Sequence, residues 1–428
     1  MRPKLSNIFC FSLLAISLTV GGACSRQSSD ITTAVAAEAV PEDREIASAM
    51  AMIEKSPELP LAYNQLAIVY IKKARQTGDS DYNEKAEAAV RKALAIAPDD
   101  APSRKLLATL HLTFHRFGEA LELGNRLNKE FPDDAFIYGV LTDANAELGN
   151  YPEAVAAAQS MVDRKPNSNS YARVAHMRSL HGDHPGAVEA YKLAARTADP
   201  EDKEAQSWCL VQLGKELWNN GKYADSVKVY DEALGLMPEY SPAILAKAKS
   251  LASLKDYDGV VRVLGGMKDA GDDPDANILL AHIYARKGDP QKSDEFFRLG
   301  EAAEAKNLGV AGEQGHLANL WVDHDMNLAE ALRIAENEYE RQKDIYTADT
   351  LAWSLYKSGR FEEAKKLSDR ALSLNTRDAR LYYRAGMITL ALGNRAAARN
   401  LLNKAIRLNP EFDLRQSEAA RTELLQLK

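Results

Sequence analysis

The sequence predicts an all-α solenoid, built from a helix–turn–helix unit that repeats along the chain. Pro98, Pro132, Pro166 and Pro200 follow one another at intervals of 34 residues. Each proline comes after an apolar helical run, such as Ala-Leu-Ala-Ile-Ala before Pro98, and proline cannot continue a helix. Helix-forming residues dominate the composition, and runs of alternating β-branched residues are absent. A fixed period of this length is typical of stacked helical units, which mostly serve as binding surfaces.

Composition and charge narrow the class of partner. The chain has 428 residues, of which 46% are hydrophobic and 27% are charged, as in folded soluble proteins. Its formal net charge is −7, and removal of Arg2 and Lys4 with a leader segment would make it more negative. An acidic chain of this kind argues against binding to nucleic acid or to an anionic membrane surface through basic residues.

The first residues predict export. Arg2 and Lys4 precede an apolar run, Ile8 to Val20, which has the length of a signal peptide rather than of a membrane span. The following Gly-Gly-Ala-Cys24 resembles the bacterial lipoprotein signal, which implies a lipidated Cys24 at the mature N-terminus, although Gly21 stands where leucine is usual. Ordinary secretory cleavage after Ala23 is the alternative.

Ser25, directly after the cysteine, resembles lipoproteins sent to the outer membrane. We therefore expect an exported protein, anchored to the bacterial envelope by its lipid, facing the periplasm and joined to a larger envelope complex. The three cysteines fit this prediction, because Cys10 leaves with the leader and lipidation would remove the reactive thiol of Cys24. A disulfide between Cys24 and Cys209 is the competing interpretation.

The repeated units resemble tetratricopeptide repeats. That family places small residues where two helices touch, glycine at the turn, an aromatic residue after it and proline near the end. The unit from Ile345 matches with Leu351-Ala352, Gly359, Phe361 and Ala364, followed by Ala371 and Leu372. Units from Ala135, Ser207 and Ala379 match at five or six positions each. The resemblance implies a right-handed superhelical solenoid of about ten units with capping helices, in which positions 8 and 20 of a unit face each other.

The same pattern divides the chain into segments. We expect a signal peptide (1–23), a flexible tether (24–41) and a capping helix (42–58) before the array. The array then has regular units (59–202), units with insertions (203–308), a degenerate unit (309–344) and two clean units (345–412), followed by a closing helix (413–428). Insertions are expected near Arg75 to Asp81 and Lys203 to Gln206, and a helix break at Gly309, Gly312 and Gly315.

The residues that could bind a metal ion or catalyse a reaction form only weak patterns in this sequence. His111 and His115 share one helix face, His181 and His184 lie in a turn, and the degenerate unit holds His316 and the run Asp323-His324-Asp325. None has a complete ligand set, and the glycines at 309, 312 and 315 lack the lysine of a phosphate loop. We therefore predict no catalytic residue, no cofactor and no metal, with a metal enzyme around His316 and His324 as the weakest alternative.

The expected functional surface is the groove lined by the first helix of each unit, where the family's members bind proteins or peptides. The side chains that the resemblance assigns to it are Trp208, Lys215, Trp218, Tyr346, Trp353, Tyr356, Lys357, Arg380 and Tyr383. Aromatic residues at helical spacing also fill the seams between units, so this alternative stays open for Trp218 and Trp353. The favoured function is a protein-binding scaffold of the envelope; the alternative is a module of polysaccharide export or secretion.

Overall fold

The computed structural model describes residues 41–267, 270–306 and 314–427. These residues form 22 α-helices, a short 3-10 turn at Ala270–Asp272 and no strand. The all-α repeat fold predicted from the sequence is therefore confirmed. The expected lipidation site Cys24, the signal peptide and most of the tether lie outside the described residues, as do Gly309 and Gly312.

Twenty of the helices follow one another as ten consecutive helix–turn–helix units, called hairpins here. The first helices of the hairpins are α2 (Pro60–Thr77), α4 (Ala101–Thr113), α6 (Ala135–Glu147), α8 (Ser168–Leu180), α10 (Lys203–Asn219), α12 (Ser241–Ser253), α14 (Pro274–Arg286), α16 (Gln314–Asp323), α18 (Ile345–Lys357) and α20 (Ala379–Ala391). The second helices are α3 (Asp81–Ile96), α5 (Phe117–Glu130), α7 (Tyr151–Arg164), α9 (His184–Thr197), α11 (Tyr223–Leu236), α13 (Tyr257–Gly265), α15 (Pro290–Ala305), α17 (Leu328–Arg341), α19 (Phe361–Ala371) and α21 (Arg395–Leu408). Helix α1 (Pro41–Lys55) precedes the hairpins and α22 (Gln416–Gln426) follows them.

Side-chain caps define where many of the first helices begin. The Asp134 carboxylate accepts a hydrogen bond from the Phe136 amide at 2.9 Å before α6. At α8, Asn167 and Ser170 form a reciprocal capping box. Such caps satisfy amide groups that have no partner inside the helix, so each polar residue between hairpins sets a helix start.

One residue in the left-handed conformation closes the turn within most hairpins. Gly149 and Gly359, with φ of 73° and 77°, occupy this position as the family pattern predicts. In hairpins that lack the glycine, His115 and Lys255 adopt the same conformation, with φ of 54° and 62°. The hairpin geometry therefore imposes the left-handed turn even on residues for which it is unfavourable.

Small residues allow close packing inside the hairpins. A Cβ at Gly214 would lie 2.2 Å from the ring of Tyr230, and one at Gly386 would lie 2.8 Å from the side chain of Leu402. In both hairpins, a large side chain of the second helix therefore packs against the backbone of a glycine in the first helix.

The predicted insertions lengthen helices. Helix α10 has 17 residues where α6 has 13, because the extra residues near Lys203 add a turn at its start. Helix α2 has 18 residues and ends at Gly78, which caps it in the left-handed conformation. At the other end of the chain, Phe412 to Arg415 is not helical, and the closing helix begins only at Gln416.

The described chain separates into two compact units, one ending at Leu110 and one beginning at His111. In the first unit, a buried polar network joins the hairpin formed by α2 and α3 to the start of α4. Asn64 Nδ2 donates to the Asp100 carboxylate at 3.0 Å, and Ser103 Oγ donates to Asn64 Oδ1 at 2.8 Å. These bonds satisfy polar groups that the packing of the helices removes from water.

In the second unit, connections between late hairpins contact the turns of early hairpins. Tyr151 Oη accepts a hydrogen bond from the Ile345 amide at 2.8 Å, and Thr376 Oγ1 donates to the Leu180 carbonyl. Asn409 Nδ2 donates to the Trp218 carbonyl at 2.9 Å. The contacts progress in the same direction along both sets of hairpins, so this unit winds back onto itself.

Candidate functional site

The second unit contains a cavity of about 580 Å³, and every residue that lines it lies beyond His111. Nine first helices, from α4 to α20, contribute side chains to its wall. The cavity arises because the first helix of each hairpin faces the same side as the hairpins wind back. It therefore lies on the side of the hairpins where the sequence predicts the groove.

A short segment after the last hairpin completes the wall. Asn409 and the residues from Glu411 to Gln416 line the cavity. Tyr223 Oη donates to Asn409 Oδ1 at 2.5 Å and accepts from the Glu411 amide at 3.0 Å. Farther along, Gln416 Nε2 donates to the Asp323 carboxylate at 2.8 Å. This segment links the early hairpins to α16 across one side of the cavity.

Four of the predicted groove residues line the cavity: Lys215, Trp218, Tyr346 and Arg380. All four are half-buried, and Trp218 Nε1 donates to Ser253 Oγ at 2.9 Å. Two aromatic and two basic side chains of the predicted groove thus belong to the cavity wall. Their part in partner binding stays a prediction.

The other predicted groove residues lie elsewhere, which differs from the expectation. Trp353 and Tyr383 are only 3% and 5% exposed and belong to the core between neighbouring hairpins. Tyr356 stacks on Trp353 with ring centroids 4.7 Å apart, and Lys357 is paired with Asp325 at 2.6 Å. Trp208 packs against another core cluster. Trp353 therefore fills the seam between neighbouring hairpins, the alternative that the sequence left open. Burial of its large apolar side chain there is more favourable than exposure to water.

Burial and neighbouring charges alter the cations of the cavity. Burial, together with the nearby Lys249, lowers the pKa of Lys215 to about 8. The ammonium group of Lys249 is itself paired with Asp275 at 3.1 Å. Burial opposes the charge of Arg380, but Asp378 and Asp349 raise its pKa above the ordinary value. Two cations of the wall, Lys249 and Arg380, therefore have carboxylates of the chain as neighbours.

The structure also brings residues to the cavity that the sequence did not single out as a site. Glu147 and Asp344 meet at the wall, where the Gln342 amide donates to Glu147 Oε2 at 2.5 Å. His176 lies in the wall, and burial lowers its pKa to about 4. Glu147 is the last residue of a first helix, so its position in the repeat could have assigned it to the cavity side. Asp344 lies in a connection between hairpins, and no sequence pattern assigned it to the cavity.

The weak metal candidates have other partners. Asp323 accepts from Arg384 at 3.0 Å and from Trp353 Nε1 at 2.8 Å, and His324 contacts Arg415 at 2.8 Å. His184 Nδ1 lies 2.8 Å from Glu216. Within the described ranges, no group of three or more histidine, cysteine or acidic side chains is arranged to hold a metal ion.

Comparison with known proteins shows what the chain resembles. Tetratricopeptide repeat families match residues 106–169 and 350–423 in one form and 209–240 and 274–307 in another. A DnaJ protein homolog, ANJ1, from Atriplex nummularia is 33% identical over 91 residues, which are 21% of this chain. This chain spans 19% of that relative's length.

Two solved structures of repeat proteins show a partial similarity to this chain. A thermophilic repeat protein from Thermus thermophilus is 16% identical, with a TM-score of 0.38, over 49% of this chain and 99% of its own. A tetratricopeptide repeat protein from Parabacteroides merdae is 17% identical, with a TM-score of 0.35, over 61% and 98%. No helix in the described part of the chain has the length and apolar character needed to cross a membrane.

Proposed function

Because the chain contains tetratricopeptide repeats, we propose that it is an interaction scaffold that holds an extended segment of a partner protein inside the cavity. The observation that supports this proposal is the continuous lining of the cavity by nine first helices. An extended peptide can contact one such helix after another, so affinity accumulates along the array. No catalytic step belongs to the proposed function.

A library of random 12-residue peptides, selected on the full chain, tests this proposal. We expect selected peptides to bind the wild type and to lose binding when Gln212→Trp fills the cavity. Gln212 lines the cavity and makes no side-chain hydrogen bond among the described residues. Val155→Trp is the matched control, because Val155 is 42% exposed on α7 and does not line the cavity. Equal loss in both variants, or in neither, would contradict the proposal.

We also propose that the scaffold is exported and held at the bacterial outer membrane by a lipid on Cys24, facing the periplasm, where it joins an envelope complex. The support is the N-terminal sequence: a basic start, a short apolar run and the Gly-Gly-Ala-Cys24 pattern. Several acyl chains would anchor the protein firmly, since each buried methylene contributes about 0.8 kcal/mol. Mass spectrometry of the mature N-terminus tests this, and an unmodified residue beyond Cys24 would refute it.

A role in polysaccharide export is the second candidate function. It draws on Trp218 and Tyr346, two aromatic residues in the cavity wall whose rings could stack on sugars. Calorimetric titration of the full chain with oligosaccharides of the native envelope distinguishes the two candidates. Saccharide binding that Gln212→Trp abolishes, without any peptide binding, would favour this second function.

A further inference from the structure

The cavity wall has an excess of acidic side chains. Among the described residues, nine acidic and four basic side chains line it. Lys249 is paired with Asp275, and Arg380 lies among carboxylates. The excess of acidic over basic side chains favours a cationic ligand over an anionic one.

The excess is concentrated where Glu147 and Asp344 meet. Glu147 is 9% exposed and Asp344 is 7% exposed. Asp344 caps α18, accepting from the amides of Tyr346 at 2.7 Å and Thr347 at 3.3 Å. Glu147 accepts from the Gln342 side chain. All of these donors are neutral, so hydrogen bonds satisfy part of each carboxyl group and no donor among them carries a positive charge.

The basic side chains near this pair are occupied. Arg173 holds Asp143 with two hydrogen bonds, of 2.9 and 2.6 Å. The Lys343 ammonium lies over the ring of Tyr339, 4.2 Å from its centroid. No described lysine, arginine or histidine forms an ion pair with Glu147 or Asp344. Burial and repulsion from Asp344 and Asp143 hold the pKa of Glu147 well above its usual range, as expected where a countercharge is missing.

A second observation elsewhere in the wall is independent of this pair. Gln416 is 8% exposed and lines the same cavity, and its Oε1 accepts no hydrogen bond from the described residues. A buried acceptor without a donor is unfavourable, and a ligand N–H group would satisfy it where a rotation of the Gln416 side chain brings this oxygen to the cavity surface. The excess of acidic side chains and this acceptor both favour a cation rich in hydrogen-bond donors.

Resting on the proposed function, we infer that the peptide that fits this cavity is cationic, and that one of its lysine or arginine side chains binds between Glu147 and Asp344. A guanidinium or ammonium group would supply the missing countercharge and several donors at once. The Gln342 amide, now beside Glu147, would then share that carboxylate with the ligand.

The composition of the selected peptides provides the first test. We expect peptides that depend on the cavity to be enriched in lysine and arginine relative to the starting library. One selected peptide is then resynthesised with each lysine or arginine changed to glutamine. Its affinity for the wild-type chain should fall at least tenfold. Cavity-dependent peptides without such enrichment would overturn this inference and leave the proposed function standing, whereas the absence of cavity-dependent peptides would overturn both.

Charge-matched variants provide the second test. The double variant Glu147→Gln, Asp344→Asn keeps the shape of both side chains and the cap of α18, and it should bind the cationic and the glutamine peptide about equally. Glu330→Gln, Glu363→Gln removes the same charge from exposed positions outside the cavity and should keep the tenfold preference. An equal loss of preference in both double variants would show general electrostatic attraction and overturn the inference.

Discussion

Gly149 lies against the backbone of Lys343, although the two residues belong to hairpins far apart in the sequence. A Cβ at Gly149 would lie 2.6 Å from the Lys343 carbonyl oxygen. Gly182 makes the same approach to Asn375, also at 2.6 Å. These turn glycines therefore serve both the local turn and the contact that winds the second unit back onto itself.

Gly149→Ala should destabilise the protein more than Gly359→Ala. Both glycines have a positive φ, so each alanine brings a similar strain of about 1 kcal/mol. Gly359 has no atom within 4 Å of the added Cβ, whereas Gly149 has the Lys343 carbonyl, for which we expect a further loss of about 1–3 kcal/mol. Urea denaturation measures both free energies of unfolding. Equal losses would show that the Lys343 backbone moves away from the added Cβ at no cost in stability.

Gly214→Ala and Gly235→Ala should have opposite effects on stability. The added Cβ at Gly214 would lie 2.2 Å from the Tyr230 ring, which must move out of a packed seam at a cost of about 1–3 kcal/mol. Gly235 lies in α11 with nothing within 4 Å, so alanine there should stabilise by up to about 1 kcal/mol through helix propensity. Thermal unfolding of both variants provides the comparison; a stabilised Gly214→Ala would contradict this packing.

Arg173→Leu should be strongly destabilising, by about 3–5 kcal/mol, because it leaves the buried Asp143 without its countercharge. Burial raises the pKa of Asp143 to about 6 even though the guanidinium lowers it, so the carboxylate is ionised at pH 7.5. The double variant Asp143→Leu, Arg173→Leu removes both charges and should recover part of that loss. Chemical denaturation at pH 7.5 measures the three stabilities, and a double variant less stable than Arg173→Leu would refute this account.

The stability that depends on His176 should fall as the pH falls from 7 to 5. Burial and the nearby Arg173 lower the pKa of His176 to about 4, whereas an unfolded histidine titrates near 6.5. The unfolded state therefore binds a proton between these values that the folded state does not, and about 2 kcal/mol should be lost by pH 5. The His176→Gln variant lacks this titrating group. Its unfolding free energy should therefore decrease less between pH 7 and 5 than that of the wild type. If the unfolding free energies of the two proteins changed equally with pH, the folded state would bind a proton at His176 in the same pH range as the unfolded state, which would contradict the lowered pKa.

Local patterns in the sequence predict most of the fold. The proline period, the turn glycines and the small residues inside each hairpin predict about ten hairpins, and the described residues form ten. Lys215 and Trp218 were assigned to the groove by their positions within the unit, and both line the cavity. Trp353 occupies the same position in its unit as Lys215 but lies in the core, so the position alone does not distinguish the groove from the seam to the next hairpin.

The sequence by itself determined the helices and the pairing of each helix with its neighbour, because these depend on contacts between residues that are close along the chain. Only the tertiary structure decided which distant hairpins meet. The small rotation between successive hairpins accumulates over several units, and no single repeat determines the total rotation of the array. That accumulated rotation brings Lys343 onto Gly149, encloses the cavity and places Asp344 beside Glu147.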